Sequence, residues 1–299
     1  MEDLLHKAQT LTESLPYIKR TWGKTVVIKY GGSAMTDSDM REKIASDIVL
    51  LKLVGINPVI VHGGGPEISA HMERMDIPVE FHDGLRVTSE ETMQIVKMVL
   101  VGKVNKELVA AINVHGRLAV GISGDDANMI KAKQKDPKLG RVGEITEVDT
   151  TVITKLVDDG YIPVIATVAA GDDGGSYNIN ADSIAGELAG ALDAEKVIFL
   201  TDVDGLYRDF DDKDSLISSL TLDQALELVA HDQLSSGMIP KVTACTHALE
   251  GGATRAHILN GTLPHALLLE VYTDEGVGTM IVHEGDDLAG SDTIDGVTL

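Results

Sequence analysis

Cysteine is almost absent: Cys245 is the single one in 299 residues, so no disulfide can form within the chain. That fits a reducing cytoplasm, with Cys245 as a small core residue. Aromatic residues are scarce at 3%, and a core must be assembled from Val, Ile, Leu, Ala and Met, which a 43% hydrophobic content can supply. No apolar run approaches the roughly 18 residues of a membrane span, so none is expected. The opening MEDLLHKAQTLTESL is acidic and amphipathic, unlike the basic start and apolar centre of a secretory signal. Basic residues are outnumbered, 25 against 47 acidic, for a net charge of −22. Such a surface repels nucleic acid and anionic membranes. An anionic ligand would then depend on a few local lysines and glycine turns.

Two phrases supply such groups. TVVIKYGGS at 25–33 and NPVIVHGGGPEI at 57–68 are short β-branched runs that stop at glycines. A buried parallel strand reads as a continuous apolar stretch, and glycine directly after it lets backbone N–H groups approach a ligand. Lys29 ends the first run beside Gly31 and Gly32, a pattern suited to a phosphoryl group in transit. Gly63, Gly64 and Gly65 exceed what a turn requires, and exposed amides at a helix start suit a carboxylate or phosphoryl oxygen.

Periodicity predicts a helix over 3–15 ended by Pro16, strands at 25–30 and 58–62, and a helix near 38–54. Residues 79–88 read as a turn-containing extended segment. Thr88 and Glu91 have capping-box spacing and open a long helix to about 114. Extended pieces at 118–123, 128–133 and 142–148 precede a helix at 150–159, a strand at 162–168, a helix at 181–192 and a strand at 196–201. Residues 208–219 read as loop, Thr221 and Gln224 cap another helix, Gly237 to about Leu249 forms the next, and a helix and a strand close the chain. This alternation predicts an α/β fold with a mainly parallel sheet covered on both faces, with a lobe boundary near 195.

Several motifs fail. The glycine that a Walker A loop needs five positions before Gly23 is Ile18, and the GGG run does not extend to a dinucleotide fingerprint because position 68 is Ile68. Four other groups remain. Arg86 in HDGLRVTS offers a guanidinium fork for a substrate carboxylate. Asn178 and Asn180 place two amides at the mouth of a helix, with simple N-capping as the plain alternative for Asn180. Asp182 falls in that helix's first turn, where it can orient lysines. Lys241 also sits in early helical turns, where the dipole disfavours a cation, a local conflict that marks a site requirement.

In order, KYGGSAM, VIVHGGGPEI, DGLRVT, VGISGDDANMI, YNINADSIAGELA, FLTDVDGLY, GMIPKV and HALLLEVYTDEGVGTMI resemble the amino-acid kinase family from about residue 24 onward, and within it the acetylglutamate kinases. The resemblance implies a three-layer α/β/α sandwich preceded by an N-terminal helix extension at 1–23. It implies an N-lobe at 24–195 for N-acetyl-L-glutamate and dimerisation, and a C-lobe at 196–299 for ATP with its Mg²⁺ and for an arginine site. By the same resemblance Gly64 and Gly65 bind substrate, Arg86 holds its α-carboxylate and Asn178 contacts the acetylamino acid. Lys29 and Lys241 stabilise the transferring phosphoryl group beside the phosphate loop Gly31–Gly32, and Asp182 positions both lysines. Thr201, Asp202, Asp204 and Tyr207 fall in the nucleotide pocket. Tyr17, His257, Glu270 and Gly276 match the arginine site of hexameric, feedback-inhibited relatives. Some relatives bind a PII-type signalling protein, which nothing in these residues establishes. A kinase acting on a carrier-linked acid and a non-catalytic nucleotide or arginine sensor stay open as alternatives.

Overall fold

The structure is a computed structural model that describes residues 2–285 except 36, 210, 232, 233, 235, 236, 274 and 275. Ser235 and Ser236 of SSGMIPK, Asp274 and Glu275 of the closing motif, Phe210 and the end of the expected C-lobe from 286 lie outside the described residues.

Among the described residues, eight strands form the central sheet: β1 (Thr25–Tyr30), β2 (Asn57–His62), β3 (Ala119–Ser123), β4 (Ile162–Ala166), β5 (Lys196–Thr201), β6 (Ser219–Thr221), β7 (Arg255–Asn260) and β8 (Thr279–Val282). Their order is β6-β8-β7-β5-β1-β2-β4-β3. Six neighbouring strands from β7 to β3 run parallel; β8 is antiparallel to β7, and β6 is parallel to β8. The sheet crosses position 195 without interruption, because β5 pairs with β1.

The apolar strands sort their residues by alternation. Val26, Ile28, Tyr30 and Ile60 enter one core cluster, while Val27, Val59, Val61 and Phe199 enter the other. Both faces are therefore buried, as a parallel sheet between two helical layers requires. One layer includes α3 (Ser38–Leu53), α4 (Gly65–Arg74), α5 (Glu90–Lys97) and α6 (Asn105–Asn113). The other includes α8 (Ala181–Ala191) and α10 (Ile239–Glu250), with α7 (Thr151–Asp158) and α9 (Leu222–Ala230) beside them. A four-stranded mixed sheet, made of 130–134, 143–148, 168–171 and 176–178, packs at the rim. Cys245 is buried in the second cluster, as expected of a small core residue.

Several local expectations change. The N-terminal helix α1 spans Glu2–Glu13, and Pro16 does not end it but stands in the first turn of a second helix, α2 (Leu15–Thr21). Proline is well placed there, where its missing N–H has no partner to lose. Ser89, not Thr88, caps the long helix by accepting from the Thr92 amide, and Thr88 turns inward to bond the Arg86 carbonyl. That helix reaches Asn113 through a π-helical stretch at Met98–Val104. The 162–168 segment divides into β4 and a separate strand that joins the rim sheet. Residues 208–219 are not all loop, since Leu216–Ile217 pairs with Leu206–Tyr207. Strand β7, RAHILN, went unread because its polar ends mask a short apolar centre. The Thr221–Gln224 capping box forms as expected.

Candidate active site

The carboxyl ends of β1, β2 and β5 lie side by side, with Lys29 in register with Val61 on one flank and Phe199 on the other. In an open parallel sheet this edge is where ligands bind. Lys29 is buried, and its Nζ lies 2.9 Å from Oδ1 of Asp182, in the first turn of α8. The Asn180 side chain caps that helix by accepting from the Asp182 and Ser183 amides, which fixes where the Asp182 carboxylate starts. Lys241, from the first turn of α10, donates to Asp182 Oδ2 at 3.3 Å. Burial pushes the Asp182 carboxyl pKa up, but the two lysine charges outweigh it and hold the pKa below the ordinary carboxylate value. One carboxylate against two ammonium groups leaves a net positive charge in a largely buried place. A Cβ on Gly31 would stand 2.7 Å from Lys29 Nζ, so a larger residue there would displace the end of the lysine side chain.

One side of this centre is built by β2, the GGG turn and α4. Gly64 is the N-cap residue of α4, and a Cβ on it would meet Leu100 at 2.6 Å; a Cβ on Gly65 would meet open space. Arg86 is buried beside them: its Nη2 donates to the Gly65 carbonyl at 2.9 Å and to Ser69 Oγ at 2.7 Å, and its guanidinium lies 4.8 Å from the Phe81 ring centre. Asn178 donates to Thr88 Oγ1 at 3.2 Å, and Thr88 in turn donates to the Arg86 carbonyl at 2.8 Å. These bonds tie Gly65, Arg86, Thr88 and Asn178 into one connected cluster, with Gly64 adjoining it. Arg141 braces it, since its amide donates to the Thr88 carbonyl, its carbonyl accepts from the Asn178 amide, and its side chain pairs with Glu90 and Asp173.

On the other side is a cavity of about 320 Å³ lined by Thr201, Asp202, Tyr207, Leu234 and Met238, with Lys241 at its wall. Asp204 accepts from Tyr207 OH and from Asn260, each at 2.7 Å, so it holds the wall rather than lining the space. The hydrogen bond to Asp204 pushes the Tyr207 pKa up to about 12.

Farther along the sheet His257 and Glu270 are both buried, with Nδ1 and Oε1 2.6 Å apart. The Val277 amide also donates to Glu270. Gly276 has a positive φ of 62°, and a Cβ there would approach Glu270 Oε2 to 3.2 Å. Tyr17 lies on α2, which packs against α11 (Ala266–Tyr272), the helix carrying Glu270. Lys196 is buried close by, and burial drops its pKa to about 8 against the attraction of Glu270.

Sequence reasoning missed Thr88, Ser69, Arg141 and Lys196. A lysine opening the fully buried strand KVIFLT was the one visible sign among them. The others act through folded geometry.

The amino acid kinase family model matches residues 24–260. The chain belongs to that family. An acetylglutamate kinase of Caldanaerobacter subterraneus subsp. tengcongensis is 55% identical over 94% of this chain and 95% of its own length. One from Synechocystis sp. is 53% identical over 96% of this chain and 97% of its own. Among solved structures, N-acetylglutamate synthase from Neisseria gonorrhoeae with coenzyme A and N-acetyl-glutamate superposes at TM-score 0.81, with 27% identity over 93% of this chain and 63% of that one. The same synthase with coenzyme A and L-arginine gives 0.77 at 25% identity, covering 93% and 65%. Carbamate kinase from Giardia lamblia bound to AMP-PNP, at TM-score 0.66 and 19% identity over 88% of this chain and all of that one, shares the fold. As a member of the amino acid kinase family, the protein is a phosphotransferase. No helix among the described residues is long and apolar enough to cross a membrane.

Proposed function

We propose that the protein transfers the terminal phosphoryl group of ATP to the side-chain carboxylate of N-acetyl-L-glutamate, giving N-acetyl-L-glutamyl 5-phosphate, the second step of L-arginine synthesis in the cytoplasm. The observation that carries this reading is the placement of Lys29 and Lys241 on one carboxylate, beside the Arg86–Asn178 cluster and the cavity that reaches Lys241. The Arg86 guanidinium, the Asn178 amide and the glycine amides receive the acidic acylated amino acid. The cavity that reaches Lys241 takes the nucleotide. The names of the acetylglutamate kinases similar to this chain supply the substrate.

The acceptor is a carboxylate, already ionised and nucleophilic at neutral pH, so no general base is needed. Catalysis is then alignment plus charge stabilisation. Lys29 and Lys241 face the charge that spreads over the transferring oxygens, Gly31, Gly32, Gly64 and Gly65 supply amides, and Asp182 holds both ammonium groups apart and in place. Mg²⁺ would come with the nucleotide and would neutralise its phosphates; Asp202 is an acidic side chain lining the cavity, an oxygen donor of the type Mg²⁺ accepts. Residues 24–195 serve as the acetylglutamate-binding lobe and residues 196–299 as the nucleotide lobe.

L-Arginine inhibits the enzyme by placing its guanidinium against Glu270, beside His257 and Gly276, with Tyr17 linking α2 to the site. The arginine-bound synthase supports this reading, as does the buried carboxylate itself. Leu4, Leu5, Leu11 and Leu15 are each more than half exposed on α1 and α2, an apolar stripe suited to another subunit in a hexamer built as a trimer of dimers. ADP release should require N-acetyl-L-glutamate, and L-glutamate should not replace it. Equal turnover with both would reject the substrate assignment, and a dimer in solution would reject the hexamer.

A further inference from the structure

His62 closes β2 directly before the GGG turn and is fully buried. Its Nδ1 lies 2.9 Å from the Gly63 carbonyl oxygen, and its Nε2 lies 3.1 Å from Asn105 Nδ2. The orientation of the Asn105 amide is fixed by groups that can act in one way only. Lys106 Nζ donates to Asn105 Oδ1 at 3.1 Å, and the Val164 carbonyl accepts from Asn105 Nδ2 at 2.9 Å. The amide nitrogen can therefore only donate to His62, and Nε2 must accept. That leaves the ring's one proton on Nδ1, where it donates to Gly63. Burial, as the largest influence, moves the ring's pKa down to about 4, in keeping with a neutral imidazole.

Both backbone groups of Gly63 are then engaged, since its amide also donates to the Tyr30 carbonyl at 3.2 Å. The next two residues are Gly64 and Gly65 at the open end of α4, where the first amides have no carbonyl one turn earlier to bond. The helix opposite is shaped to the same end. Its π-helical stretch Met98–Val104 finishes at Asn105, and Leu100 and Val104 from that stretch close over Gly64. An added residue in one turn rotates everything after it on the helix face by roughly 100°. Gly121 leaves the space for Asn105, because a Cβ there would lie 1.9 Å from Asn105 Oδ1.

We propose that His62, held neutral with its proton on Nδ1 by Asn105, is a positioning residue for phosphoryl transfer: it locks the Gly63 carbonyl and so aims the Gly64–Gly65 amides at the reacting oxygens. This rests on the reading that those amides face the acceptor carboxylate. Their value lies in being oriented before the reaction begins, since a dipole that must first reorient stabilises the transition state less.

The test pairs two substitutions with one measurement on the unaltered protein. Asparagine places its amide nitrogen near the position of Nδ1, and glutamine places its own near Nε2. His62→Gln is expected to lower kcat/KM for N-acetyl-L-glutamate roughly 10–100-fold, the range typical when a group that orients a metal ligand is removed, with KM for ATP little changed. His62→Asn should recover most of that loss. If His62 only fills space, glutamine, nearer in volume, will do better than asparagine, and the proposal is overturned. Long-range proton–nitrogen NMR on histidine-labelled wild type should show His62 protonated on Nδ1 with bare Nε2; a proton on Nε2 overturns the proposal even if both variants fail to fold. Absence of wild-type turnover with N-acetyl-L-glutamate would instead sink the kinase reading, and the NMR result would still decide the ring.

Discussion

Lys29 and Asp182 form a buried ion pair, with Nζ 2.9 Å from Oδ1. The other oxygen of the same carboxylate takes Lys241 at 3.3 Å. Three elements distant in sequence are thereby tied at the ends of β1, α8 and α10. Neutralising Asp182 should release both lysines and leave two cations facing each other. Asp182→Asn is expected to lower kcat by about 100-fold or more and to cost about 3 kcal/mol of stability, since breaking a buried pair strands its partners. The pH dependence has a definite sign. The native pKa of Asp182 is depressed, so its stabilisation is complete above the ordinary carboxylate value of 3.8 and is lost as pH falls through the lower native value. Acid denaturation monitored by circular dichroism should show a shallower acid limb in Asp182→Asn than in wild type.

Lys29→Ala and Lys241→Ala each remove a charge needed most when the phosphoryl group is in transit. Steady-state kinetics should show kcat falling by about 10²–10³, with smaller changes in either KM. A loss confined to KM for ATP would assign the lysines to nucleotide binding alone.

Arg86→Lys keeps the charge and loses the planar fork that reaches Gly65 and Ser69 and stacks on Phe81. KM for N-acetyl-L-glutamate should rise by roughly tenfold with kcat changed far less, because a lysine is not equivalent at a bidentate, stacked site. An unchanged KM would remove Arg86 from substrate recognition.

Glu270→Gln removes the negative charge paired with His257 while keeping the shape of the side chain. Turnover without arginine should stay close to wild type, and inhibition by arginine should weaken by roughly tenfold or more, as expected for a charge-assisted contact. Inhibition at the wild-type concentration would place the arginine site elsewhere.

The sheet was legible because β1 and β2 are short apolar runs ended by glycine and β4 and β5 are apolar runs that alternate with segments of helical periodicity, and the residues gathered around Asp182 were legible because they break local rules. Lys29 is a cation at the end of a buried strand, and Lys241 is a cation at a helix N-terminus. Strand β7 was not legible because Arg255 and Asn260 frame its apolar centre. The role of Pro16 was misread since a proline that stops one helix is equally suited to start another. The inward turn of Thr88 and the bracing by Arg141 depend on contacts among segments far apart in sequence, which no periodicity carries. The π-helical turn was hidden as well, because Met93, Val96, Leu100, Val104 and Leu108 keep an apolar face on either helical geometry.

The most direct test of the phosphotransfer account is ATP turnover with N-acetyl-L-glutamate in the presence of hydroxylamine, which traps an acyl phosphate as its hydroxamate. The account predicts hydroxamate in proportion to ADP, and its loss in Lys29→Ala. ADP released without hydroxamate, or no turnover with N-acetyl-L-glutamate, would contradict it.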